Sequence, residues 1–254
     1  MPNISSETLF HFTQSCDNLK GILKNEFYPK YSLEALEFKG KNRAEFAYPM
    51  VCFCDIPLSQ VKEHLKTYGN YGIGMSREWV LSKGLNPVMY LRKDSELSNW
   101  LCCVMENSTP LSAAEDSNAR GIKGGILYLL RHIKPFEGIS NRIGKNTLVK
   151  FYNEKEWRYV PFQNYENGKE ILITSLKKDE YENVELLRKK HTELEKLKLG
   201  FAPTDIKYII VHKENEILDM VNYLENIKLP KYDTKTIKIL TSRIITSEQI
   251  KKDF

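Results

Sequence analysis

The chain has 254 residues, 41% hydrophobic and 28% charged, with a formal charge of +5 from 38 basic against 33 acidic residues. That length can bury a core without metal or disulfide staples, and the composition excludes a disordered or collagen-like chain. The mild, dispersed positive excess permits contact with nucleic acid or phosphates without arguing for it. The opening MPNISSETLFHF lacks the basic and apolar regions of a secretory leader, and no run approaches 18 apolar residues, so a cytoplasmic protein with no membrane contact is expected.

In chain order, residues 9–92 alternate short strand-like runs with short helical ones. Strands are expected at 9–13, 51–56, 71–75 and 87–91, and helices at 18–24, 58–67 and 78–83. Residues 95–131 read mainly as helix, with Pro110 marking an N-terminal boundary and Gly124-Gly125 a weak point. Strands resume at 148–151 and 157–162. From 176 to 199 charges alternate in sign while Val184, Leu187, His191 and Leu194 recur at three- and four-residue steps, which predicts one long amphipathic helix with that stripe buried. The end reads strand 206–212, helix 214–226, strand 236–240 and a helix from Ser247, with a parallel pairing of the two strands expected. No repeat or linker divides the chain. One α+β domain over 1–254 is therefore expected, with a strand-rich part at 9–92, a helical insert at 95–135 and a β/α part at 200–254.

Three segments combine residue types that suit chemistry. In residues 9–13, LFHFT, period-two alternation puts Leu9, His11 and Thr13 on one face and Phe10 and Phe12 on the other. An imidazole beside a hydroxyl suits a ribose or a phosphate; a core histidine bonded to backbone is the plainer alternative. Residues 68–76, YGNYGIGMS, carry three glycines and two tyrosines. They would let a ligand approach Tyr71 closely, or simply turn the chain tightly into a strand; the spacing is neither a Rossmann nor a P-loop fingerprint. In residues 154–160, EKEWRYV, a glutamate beside Arg158 and an aromatic is either a site carboxylate or part of an ion-paired strand edge.

Five cysteines, Cys16, Cys52, Cys54, Cys102 and Cys103, show no zinc-finger spacing, and reduced thiols are expected. Cys52 and Cys54 share a strand face, where buried packing is the expected role and a shared metal the alternative. No metal site is assigned. His64, His132, His191 and His212 are read as packing or capping residues.

Taken in order, His11-Phe12-Thr13, then VCFCDIPLS at 51–59, then YGNYGIGMS at 68–76 with Asn86-Pro87-Val88, resemble the AbiGi family of abortive-infection proteins. The likeness extends to the Glu-x-Glu-Trp-Arg segment and to residues 201–211. It implies a bacterial phage-defence role as the antitoxin-like member of a two-gene system, with a partner toxin. A weaker resemblance is to the ADP-ribosyltransferase fold, in its DarT-like branch: an early His-x-Thr strand, a central aromatic-glycine strand and a late strand with glutamate. That likeness implies an irregular strand-rich body with inserted helices and NAD as cofactor. It further implies His11 and Thr13 at the ribose, Tyr71 near the nicotinamide and Glu156 as the catalytic carboxylate, with Glu154 as its rival. The acceptor would be nucleic acid or protein. Two functions of different class are thus expected: restraint of a toxin by binding, or NAD-dependent transfer through an oxocarbenium-like state.

Overall fold

Alternating side chains on short extended runs need a sheet with both faces covered, and the chain builds one. The computed structural model describes residues 6–37, 44–108, 117–140, 146–161, 163–166 and 169–253. In chain order the first elements are β1 (Thr8–Thr13), α1 (Cys16–Asn25), β2 (Lys30–Leu36), β3 (Ala44–Cys54), α2 (Lys62–Tyr68), β4 (Tyr71–Ser76), α3 (Arg77–Ser82), β5 (Asn86–Pro87) and β6 (Met89–Leu91). The middle holds α4 (Glu96–Ser108), α5 (Ser117–Leu130), β7 (Ile133–Pro135), β8 (Gly138–Ser140), β9 (Thr147–Val149), β10 (Glu156–Tyr159), β11 (Gln163–Glu166) and β12 (Lys169–Leu172). The last are β13 (Leu176–Lys177), α6 (Lys178–Glu182), α7 (Val184–Leu194), β14 (Ile206–Val211), α8 (Ile217–Lys228), α9 (Thr234–Thr241), β15 (Ile244–Thr246) and α10 (Ser247–Asp253).

The main sheet runs β15-β14-β4-β1-β3-β10-β5, and β2 and β13 also pair with β3. Among the described residues, only β14 and β15 are parallel within it. Because adjacent residues of a strand point to opposite faces, Leu9 and Phe10 enter different cores. Leu9, Ile73 and Met75 pack with Leu19 and Leu23 of α1, Met220 and Leu224 of α8 and Leu240 of α9. On the other face Phe10 and Ile210 pack with Leu65 of α2 and Ile250 of α10. Close approach of β1 and β4 depends on small residues: a Cβ built on Gly74 would stand 2.7 Å from Thr8 Cγ2 and 2.9 Å from Phe10 Cε1. Gly72, where a Cβ would stand 2.8 Å from Phe12 Cδ1, and Gly74 therefore serve strand packing.

The mixed α and β composition matches expectation, and several elements do not. The strand β2 was not expected, although its residues alternate, Lys30, Ser32 and Glu34 against Tyr31, Leu33 and Ala35. The single helix over 176–199 is replaced by β13, α6 and α7. The break falls at Asn183, whose side chain caps α7 by accepting the Leu186 N–H at 3.0 Å. Val184, expected on a buried stripe, is 64% exposed, while Leu187 and Leu194 do pack against the body. The strand expected at 236–240 is helix α9: Asp233 caps it, and Ile237 and Leu240 are buried one helical turn apart. The parallel partner of β14 is instead β15, with Ile209 opposite Ile244. The run 87–91 is divided between β5 and β6, which join different sheets. The insert forms two helices, α4 and α5; Pro110, the expected boundary, lies outside the described residues. Among the described residues no helix is long and apolar enough to cross a membrane.

Candidate functional site

Strands β1 and β3 pair at a single position, Phe10 opposite Cys54. Beyond it they contribute opposing walls to a cavity of about 530 Å³, within the range of small-molecule sites. His11 bridges the opening: its Nδ1 donates to the Cys52 carbonyl at 2.8 Å, and its ring meets Phe27 edge-on at 5.4 Å. Burial lowers the His11 pKa, an effect that the bond to Cys52 only partly opposes, so the ring is held neutral.

Behind β3, strand β10 carries Glu156 and Arg158 on one buried face. One Glu156 oxygen accepts from Arg158 Nε at 2.5 Å and the other is paired with Lys134 Nζ of β7. Burial alone would push the Glu156 carboxyl up, but Arg158 and Lys134 outweigh it and hold it well below the usual carboxylate range. Glu154 pairs with the same lysine and accepts from the Tyr68 hydroxyl at 2.6 Å. It lies in a 3-10 turn before β10 rather than on the strand, and Lys155, at φ 45°, turns the chain between the two carboxylates. Glu34 of β2 completes the cluster, 3.2 Å from Arg158 Nη2. The cluster is enclosed: Arg158 is fully buried and the side chains of Lys134 and Glu156 are each 7% exposed.

Of the four residues singled out from the sequence, His11, Thr13 and Glu156 line this cavity and Tyr71 does not. Tyr71 sits on β4 opposite Thr13, donates its hydroxyl to Glu216 Oε1 at 2.7 Å and meets the His212 ring edge-on. Its ring is therefore committed to the start of α8, away from the cavity. Lys134 and Glu34 were not anticipated. Glu34 could have been found from the alternation of residues 30–35; Lys134, on a three-residue strand between Ile133 and Pro135, offers no local signal. Cys52 and Cys54 both line the cavity with thiol pKa values raised by burial. Among the described residues no group of three His, Cys, Asp or Glu side chains is placed to hold a metal.

The blocks around Asp55 and Gly69 serve the frame around the cavity. Asp55 accepts the Ser6 N–H at 2.9 Å and pairs with Arg77 at 2.8 Å, tying the start of β1 to α3. Gly69 holds φ 112°, and a Cβ there would lie 2.2 Å from the Thr13 carbonyl oxygen, so only glycine fits the turn into β4.

Residues 25–212 match a family model described as "Putative abortive phage resistance protein AbiGi, antitoxin". A Lactococcus lactis subsp. cremoris protein named "Abortive phage resistance protein AbiGi" is 26% identical over 252 residues, an alignment covering 90% of this chain and 99% of that protein. No solved structure matches.

Proposed function

The chain belongs to the AbiGi family of abortive phage resistance proteins, and from that premise we propose that it acts as an antitoxin, restraining a partner toxin by binding it without chemistry of its own. The observation that carries the binding reading is an apolar ridge on α4. Leu97, Trp100 and Val104 follow one another at three- and four-residue steps and are 54%, 63% and 42% exposed. The adjoining face of the same helix, with Leu101, Cys102 and Met105, packs against Leu91 and Leu130. A tryptophan left in water on an otherwise folded helix has the character of an interface anchor. Trp100→Asp is expected to weaken capture of a co-expressed toxin by about thirtyfold or more and to abolish protection, with the melting temperature unchanged. Full protection by that variant would remove the ridge from the interface.

A second reading, NAD-dependent ADP-ribosyl transfer on an ADP-ribosyltransferase-like fold, is favoured by one observation: His11, Thr13 and Glu156, far apart in sequence, line one cavity. Against it stands the engagement of Glu156. A carboxylate that stabilises a developing cation must turn uncompensated charge toward the substrate, and here both oxygens are held by cations. The readings separate on expressing the chain alone. Growth arrest with labelled ADP-ribose appearing on nucleic acid or protein supports transfer, and neither is expected if the chain only binds.

A further inference from the structure

The wall of the cavity does not suit an anion. Among the described residues, Asp17, Glu26, Glu34, Glu154 and Glu156 line it against two lysines, Lys30 and Lys134. Arg158 stands behind Glu34 and Glu156, and Lys198 pairs with Glu26 at 2.8 Å, which still leaves one carboxylate in excess. Among the described residues of the enclosed part, Glu34, Glu154 and Glu156 share Lys134 and Arg158, and none of these five side chains is more than 15% exposed. Residual negative charge at that depth is costly unless a positive group meets it.

The remaining polar atoms point the same way. Since His11 Nδ1 gives its proton to a carbonyl and the ring is neutral, Nε2 is an acceptor with a lone pair to offer. His64 also lines the cavity, and its buried Nε2 has no hydrogen-bond partner among the described residues; with the proton on Nδ1 it is a second acceptor for a ligand to meet. Phe12, Phe53 and Tyr68 supply ring surface to the same space, against which a positive group is attracted. We infer that the cavity binds a small organic cation, an ammonium or guanidinium group that donates to Glu34, Glu154 and His11 Nε2 with its body against the aromatic wall. A free metabolite or an arginine or lysine side chain of a bound protein would bring the same chemistry.

Calorimetric titration of the whole chain tests this, with agmatine as the cationic probe and AMP as a planar anionic one. Saturable binding of agmatine and none of AMP is expected. Glu154→Gln should weaken agmatine by about tenfold, the loss of one charge-assisted hydrogen bond. Glu63→Gln, which removes a carboxylate from an exposed pair with Lys66 outside the cavity, should leave it unchanged. If Glu154→Gln does not fold, Asp17→Asn at the exposed rim takes its place, with a loss of about threefold, as a more exposed charge is worth less. No saturable agmatine binding to the folded wild type, equal affinity in the cavity variant, or tighter binding of AMP overturns the inference. Where agmatine binds, its displacement of a captured toxin assigns the cation to a partner side chain, and indifference of the capture assigns it to a free molecule.

Discussion

At Glu156 the local geometry decides what a substitution can report. Both oxygens are ion-paired and the residue is buried, so Glu156→Gln weakens two charge-assisted hydrogen bonds, to Lys134 and Arg158, while Glu154 and Glu34 still face those cations. The loss costs about 3 kcal/mol, to be read from chemical denaturation. Any lost activity in the variant therefore has to be compared with its stability. The pH dependence has a definite sign. A carboxyl with a folded pKa below its unfolded value stabilises the protein fully above the ordinary range near about 4.3, and the contribution fades as pH falls toward the folded value. Wild-type stability should therefore fall more steeply below about pH 4 than that of Glu156→Gln. Parallel declines would mean that the cluster contributes nothing to acid sensitivity.

At the scale of elements, the helix α7 shows how a contact outside the local pattern assigns a residue its work. His191 was read as part of an apolar stripe. Its Nε2 accepts the Tyr31 N–H at 3.1 Å and its ring stacks near Tyr31, so it docks α7 onto β2. His191→Ala should strand that amide and cost about 1–3 kcal/mol, with faster hydrogen exchange at Tyr31 as the specific sign. Unchanged exchange at Tyr31 would show that the bond does not hold the strand. Residues 236–240 teach the complementary lesson. The β-branched run Thr-Ile-Lys-Ile favours a strand by propensity, yet the Asp233 cap and the burial of Ile237 and Leu240 on one face make it helical. Propensity lost to a cap and a core contact.

Across the whole molecule, the sheet joins both ends of the chain, and part of the core lies outside the region matched to the family. The match spans residues 25–212. β1 and most of α1 precede it, while α8, α9, β15 and α10 follow it. Leu9, Leu19, Leu23, Met220, Leu224, Leu240 and Ile250, all outside that span, are each at most 0% exposed. A protein cut to 25–212 should therefore fail to give a cooperative thermal transition, whereas the whole chain should give one. A cooperative transition in the fragment would place the folding unit inside those boundaries. What the sequence determined by itself is what repeats over a few residues: the runs that make β1, β4 and β14, the helix start at Ser247, and the blocks around Asp55 and Gly69 on which the family resemblance was read. The tertiary structure alone decided that Tyr71 turns to Glu216 while His11 and Glu156 meet at one cavity, and that Lys134 is shared by two glutamates 20 and 22 residues away. The physical reason is that such partners are set by which strands pair and in what register, and a residue's own neighbours along the chain carry no record of that pairing.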